Sequence, residues 1–215
     1  MSDQKNTTIR EQIASELLKI RAIKLNPENP FTWASGWKSP IYCDNRISLS
    51  YPAFRTLIKD AFMYEIKSKY PEVDAIAGVA TAGIPQGALV ADGLELPFIY
   101  VRSKPKAHGM TNMIEGEVQT GKKIVVIEDL ISTGGSSIKA IEAIRDAGME
   151  VLGLGAIFTY GFPQADENMV NASVPFFTLS DYHALLNVAL QENAITNSEL
   201  DSLNNWRLDP ANWNS

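Results

Sequence analysis

The chain has 215 residues, 45% apolar and 20% charged, which are ordinary globular values and enough length to bury about 70% of its unfolded surface. Its net charge of −6 argues against a general nucleic-acid or membrane surface, so any anion site must be a local basic feature. One cysteine, Cys43, permits no intramolecular disulfide and fits a reducing compartment, and with only two histidines a dedicated zinc site is disfavoured.

The opening stretch MSDQKNTTIREQ lacks an apolar signal-like run, and no stretch of about 18 apolar residues occurs, so a cytoplasmic protein without membrane or nucleic-acid partners is expected. Ile9, Ile13, Leu17 and Ile20 have helical spacing over 9–23. Residues 26–46, rich in Pro, Gly, Ser and aromatics, read as loops and short strands. Helical period returns over 51–69, with Pro52 suited to a first turn.

From there the pattern alternates. Strands are expected at 73–80, 97–101, 122–128, 151–160 and 175–179. Helices are expected at 85–94, at about 135–147 closed by Gly148, and within 163–172. Ser180 is placed to cap a helix carrying Leu185, Leu186, Ala189 and Leu190, and Thr196 with Glu199 has capping-box spacing for a last helix. Alternation of this kind predicts an α/β fold, a mostly parallel sheet covered by helices on both faces. One domain over 1–215 is expected, with about 1–70 forming a helix and hood beside a core of about 71–215.

The stretch IVVIEDLISTGGSS, 124–137, runs from a buried strand into two acids and then a small-residue loop entering a helix. Open α/β sheets bind ligands at this end of their strands, and a helix start offers amides to a phosphate. Glu128 and Asp129 can accept hydrogen bonds from neighbouring sugar hydroxyls or lean towards a metal-bound ligand. Ser132, Thr133 and Ser136 can surround a phosphate, and Gly134 and Gly135 allow close approach and positive φ. A plain strand–turn–helix connection is the alternative. A Walker loop is excluded because no Lys follows the two acids until Lys139, and the G-x-G-x-x-G fingerprint is absent. A second loop, GVATAGIPQGA at 78–88, has room for a pyrophosphate or makes a compact turn. In VRSKPKAHGM, Arg102, Lys104, Lys106 and His108 cluster in a loop able to attract a polyanion, or form a solvated charge run. His183 reads as structural, and Trp206 and Trp213 fit a core or an interface equally.

VVIEDLISTGGSS resembles the binding motif for 5-phosphoribosyl 1-diphosphate (PRPP) in type I phosphoribosyltransferases. The resemblance implies that Glu128 and Asp129 hold the ribose and that Leu130, Ile131, Ser132, Thr133, Gly134, Gly135 and Ser136 form the phosphate loop. It also implies a pyrophosphate loop at Thr81, Ala82 and Gly83. Arg-x-x-x-Lys-x-His-Gly, with Ile114-Glu115-Gly116 after it, resembles the catalytic loop of the orotate branch, in which Arg102, Lys106 and His108 serve PRPP and its leaving group. FTWASGWKSPIYCDNR, 31–46, is similar to that branch's hood over the base, with Tyr42 and Ser132 contacting orotate.

For that branch the catalytic residues are Lys106, His108 and Asp129. The cofactor is Mg²⁺, held mainly by PRPP and water with no dedicated protein metal ligands. The partner is a second copy, its 102–110 loop reaching the neighbouring site. The expected reaction joins PRPP and orotate to give orotidine 5′-monophosphate and pyrophosphate. The alternatives are a phosphoribosyltransferase for another base or a non-catalytic PRPP-binding regulator. Three positions depart from many relatives: Ala34 and Ser103 stand where those have Lys, and FTYGF, 158–162, lacks the Arg that reads orotate's carboxylate. Ser132 with nearby amides, or Arg46, is expected to take over that task.

Overall fold

The computed structural model describes residues 8–33, 36–104 and 113–213. Helix α1 (Ile9–Lys19) opens with the capping box of Thr8 and Glu11, each side chain satisfying the other's backbone N–H. A small hood follows. Strand β1 (Ile23–Leu25) takes its partner from later in the segment, and β2 (Phe31–Thr32) pairs antiparallel with β3 (Lys38–Ser39). Strand β4 (Ile41–Cys43) is the partner of β1, and a 3₁₀ turn over Asn45–Ser50 leads to α2 (Pro52–Lys69), with Pro52 in the first turn.

The alternating half then begins with β5 (Ala75–Val79), α3 (Gly83–Leu94), β6 (Phe98–Val101), β7 (Ile114–Glu115) and β8 (Lys123–Ile131). It continues through α4 (Gly135–Asp146), β9 (Glu150–Thr159), α5 (Pro163–Asn171) and β10 (Phe176–Thr178), ending with α6 (Tyr182–Gln191) and α7 (Asn197–Leu208). The six-stranded sheet runs β10-β9-β8-β5-β6-β7, parallel except for the β6–β7 pair. The short strand β7 was not foreseen, because two paired residues carry no readable period.

Strand alternation divides the core. Val125, Ile127 and Ile157 face one way, into a cluster with α1, α2, α3, α6 and α7. Ile124, Val126 and Leu154 face the other, under α4 and α5. The first two helices are built into this core, since Ile13, Leu17, Ile58 and Phe62 are fully buried beside the sheet. Trp206 is fully buried as well, and Trp213 packs half-buried against the same cluster.

Helix α6 is capped by Asp181, whose Oδ1 accepts the N–H of Ala184 at 2.8 Å, and not by Ser180. The Ser180 hydroxyl donates instead to the carbonyl of Arg10, 2.9 Å away, tying α1 to the sheet edge. The α7 capping box at Thr196 and Glu199 forms as the sequence spacing requires. His183 is exposed on α6, next to Asn187 at 3.2 Å. Among the described residues no helix is long and apolar enough to cross a membrane.

Candidate active site

The two acids lie within β8, not beyond it, because the ladder with β9 continues through Leu130–Phe158 and Ile131–Thr159. A strand that keeps its partner to the last residue holds its side chains firmly. Glu128 is 5% exposed. Its carboxylate accepts the N–H of Asp129 at 3.0 Å and the hydroxyl of Ser137, on α4, at 3.4 Å. Burial, and then the charge of Asp129 beside it, pushes the Glu128 carboxyl up to about 9. Burial raises Asp129 too. Two carboxyls held so close in a desolvated place are poised to share a proton or to receive donors from a polyhydroxyl ligand.

Asp129 is fixed from behind. The Asn45 side chain donates to its carbonyl at 2.8 Å, and the Cys43 thiol donates to Asn45 Oδ1 at 3.4 Å. The Ser48 hydroxyl donates to the Asn45 carbonyl at 2.6 Å, and the Gln86 amide of α3 donates to Ser48 at 3.2 Å. Asn45, Ser48 and Gln86 are all buried. This polar chain couples the turn after the hood to both β8 and α3, and sequence reasoning missed it. The only available signal was Asn45 inside the hood segment, a polar residue with no pattern to mark it as buried. The Cys43 thiol is pushed up by burial, with Asp129 and Asp44 adding to the effect, so it stays neutral and is a packing residue rather than a nucleophile.

A cavity of about 310 Å³ opens above these residues, lined among others by Arg46, Thr81, Ala82, Glu128, Asp129 and Ser136. The two glycine-containing loops therefore meet at one place. Gly83 serves closeness of packing: a Cβ there would collide with the carbonyl of Ile127, so only glycine lets α3 start against β8. Gly134 takes φ 83° as the residue before α4, and a Cβ would also meet Met169 Cε at 2.6 Å. No side chain caps α4, so its first amides are available to an anion. Thr133 is anchored by Asn168, which donates to its carbonyl at 2.9 Å. Ile131 turns into the core, fully buried, and its carbonyl accepts the Thr159 hydroxyl at 3.0 Å, so its side chain serves packing.

A second cavity of about 290 Å³ adjoins the first, and both touch Cys43 and Leu130. Its walls include Trp33, Tyr42, Ser132 and Tyr160. Phe31 supports Tyr42 at 5.7 Å between ring centres, and Tyr160 lies 5.1 Å from Trp33. Behind them Trp206 of α7 meets Trp33 at 5.6 Å and Tyr160 at 5.7 Å, both edge-on. Burial pushes the Tyr160 phenol well up, so this wall is neutral. The shape suits a flat ring, with polar edges available at Ser132 and Thr32.

Arg102 stands at the end of β6. Its backbone N–H reaches the Met113 carbonyl at 2.8 Å and its guanidinium lies 3.5 Å from Glu115. Together with Ala80, Ser136 and Lys139 it lines a third cavity, about 710 Å³, continuous with the sugar-sized one through Ala80 and Ser136. The Ala80–Thr81 peptide bond beside it is cis. Lys106 and His108 lie outside the described residues, as does Ala34. Among the described residues no three His, Cys, Asp or Glu side chains group to hold a metal.

Residues 49–181 match the family model described as the phosphoribosyl transferase domain. The orotate phosphoribosyltransferase of Bacteroides thetaiotaomicron is 60% identical over 202 residues, 94% of this chain and 95% of that one. The chain belongs to the orotate phosphoribosyltransferase family. The orotate phosphoribosyltransferase of Cytophaga hutchinsonii is 55% identical over 94% of this chain and 97% of its own. Among solved structures, the orotate phosphoribosyltransferase of Aeropyrum pernix superposes with a TM-score of 0.74 at 27% identity, covering 86% of this chain and 99% of that one. Leishmania donovani UMP synthase superposes with a TM-score of 0.78 at 28% identity, over 94% of this chain but only 42% of that longer one. The expected α/β architecture is thus that of the family.

Strand β9, which follows α4, ends at Thr159 and leads into Tyr160, a wall of the second cavity, and then Gly161, so neither residue after the strand brings a cation to it. Arg46, one expected reader of the carboxylate, lines the first cavity and donates to Asp44 through Nε and Nη2 at 2.6 and 2.9 Å. Ser132, the other, lines the second cavity.

Proposed function

We propose that this chain transfers the ribose 5-phosphate of PRPP to orotate, giving orotidine 5′-monophosphate and pyrophosphate. The observation that carries the reading is the contact of two cavities at Cys43 and Leu130, one with paired carboxyls and open helix amides, the other flat and aromatic. A phosphorylated sugar in the first presents its C1 towards a ring in the second. Glu128 and Asp129 accept the ribose hydroxyls, and the Ser132–Ser136 loop takes the 5′-phosphate. Thr81 and Ala82 face the pyrophosphate end, with Arg102 close to it.

The ring nitrogen of orotate forms a bond to C1 as the C1–oxygen bond breaks, and pyrophosphate leaves with that electron pair. Positive charge gathers at C1 on the way, so the protein's task is chiefly to hold the partners in line and to stabilise the leaving group. Lys106 and His108 are assigned to that leaving group, His108 as the proton donor or orienting group. Mg²⁺ would be held mainly by the diphosphate and water, with Asp129, and Glu128 once it has given up its proton, receiving its waters, and it would supply neutralisation of the departing charge. A homodimer in which the 102–110 loop serves the neighbouring site, and a cytoplasmic location, complete the reading.

The test mixes the protein with PRPP, Mg²⁺ and orotate and follows the loss of orotate's near-ultraviolet absorbance, with uracil and hypoxanthine in parallel. Loss with orotate alone is the expected result. Turnover of another base in its place overturns the assignment of the base, and binding of PRPP without any turnover favours a regulator.

A further inference from the structure

We propose that Lys38 reads the carboxylate of the base. The proposal rests on orotate being that base, a pyrimidine whose ring bears an ionised carboxylate. An anion drawn between aromatic walls loses water and must regain a cation or strong donors. None of the described side chains lining the base cavity is basic, so the cation has to reach in from its edge.

Four described cations lie near enough to compare. Lys24 stands across the β1–β4 pair from Tyr42, but among the described residues it makes no side-chain bond to the cavity's lining. Arg46 borders the neighbouring sugar cavity, with two guanidinium nitrogens already donating to Asp44. Arg207 donates to the carbonyl of Gly161 at 2.9 Å, on the helix that carries the fully buried Trp206. Lys38 is different. It sits directly across the β2–β3 pair from Thr32, and Thr32 lines the base cavity. Its ammonium donates to the Thr32 hydroxyl at 3.0 Å, which places the charge at the cavity's edge. The side chain is exposed and, among the described residues, forms no ion pair. An ammonium carries three protons, so two remain for a carboxylate while the Thr32 bond holds the head in place. The flexible four-carbon stem lets it follow the ring as it enters.

The arrangement moves carboxylate recognition from the sheet, where Tyr160 now supplies a neutral wall, to the hood. It also ties recognition to one cross-strand pair, so Thr32 acts as the residue that positions the lysine.

Steady-state kinetics of Lys38→Ala and Lys38→Arg, with orotate and PRPP each varied, test the proposal. Competition by orotate methyl ester, which has the ring without the charge, provides a second readout. Loss of one charge-assisted contact should raise KM for orotate about 10- to 100-fold. KM for PRPP should stay within about twofold, since the change is confined to the base end, and the melting temperature should not move. Lys38→Arg should recover most of the loss. The advantage of orotate over its methyl ester should shrink towards parity in Lys38→Ala.

A Lys38→Ala enzyme with the wild-type KM for orotate overturns the assignment, as does an equal rise in both KM values. Wild-type protein that consumes no orotate at all overturns the base itself, and with it the proposal, so the two failures are told apart by the unmutated enzyme.

Discussion

The sugar end and the base end of this site are built in opposite ways. The sugar end draws its carboxyls, hydroxyls and helix amides from one stretch, Glu128 to Ser136 along β8, the turn and the start of α4, and Arg46, Thr81 and Ala82 only complete its wall. The base end is assembled from four distant places, the hood at 32–43, Leu130 and Ser132, Tyr160 after β9, and Trp206 on α7 behind them. A contiguous motif keeps its chemistry as long as its strand and helix survive. An assembled cavity depends on every element that contributes a wall, and so it is where substrate preference can drift.

The largest effect is expected at the local end. Asp129→Asn keeps the size of the side chain and removes the charge, so the fold and the melting temperature should be preserved. The carboxylate proposed to accept the ribose hydroxyls is lost, and kcat/KM for PRPP should fall by about 100-fold, near the upper range of a hydrogen bond to a charged group. Near wild-type turnover in a folded Asp129→Asn enzyme would remove Asp129 from the ribose site.

Trp206→Leu probes the assembled end. It leaves a cavity in the core and should cost about 2–3 kcal/mol, or a melting temperature lower by roughly 4–12 °C. Trp33 and Tyr160 lose their edge-on support, so KM for orotate should rise about 10-fold with KM for PRPP little changed. Kinetics measured well below the melting temperature separate the two consequences. If both KM values rise together, the ends are not independent and the contrast drawn above fails.

This contrast also explains what the sequence discloses. Strands β5, β6, β8, β9 and β10 are legible because buried parallel strands are short apolar runs, and the motif at their edge is legible because it is contiguous. The extension of β8 through Asp129 to Ile131 was not, since acids and small residues resemble a loop until the β9 partner is seen. Ser180 looked like a cap because it precedes an apolar helix, yet Asp181 has the geometry and Ser180 has a distant partner in Arg10. Trp206 could be read as core or interface, and only the fold puts it behind the base cavity. The buried chain Gln86–Ser48–Asn45–Asp129 spans three segments of unlike pattern, so nothing local announces it.

That chain ties the turn after the hood to the sugar site through hydrogen bonds, and Asn45→Ala measures it. The change leaves the Asp129 carbonyl without its donor at 2.8 Å, which costs about 1–3 kcal/mol where the group is buried. A shift of Asp129 should raise KM for PRPP several-fold and leave orotate binding closer to wild type. Unchanged PRPP kinetics would mean that β8 and β9 alone hold Asp129 in place.

An effect on stability rather than rate sharpens the picture of the carboxyl pair. Glu128 holds its proton up to about pH 9 in the folded chain, against the usual 4.5 when exposed. The fold therefore gains most from the bound proton below about pH 4.5, and that gain declines as pH rises until both states are ionised above about 9. Glu128→Gln carries no such titration. The variant should gain on the wild type steadily between pH 5 and 9 in thermal melts without ligand, by about 2–4 °C for each kcal/mol. Parallel melting curves across that range would show that Glu128 is already ionised in the empty site. The sugar end would then be pre-charged to receive hydroxyl donors, instead of giving up a proton as the ribose arrives.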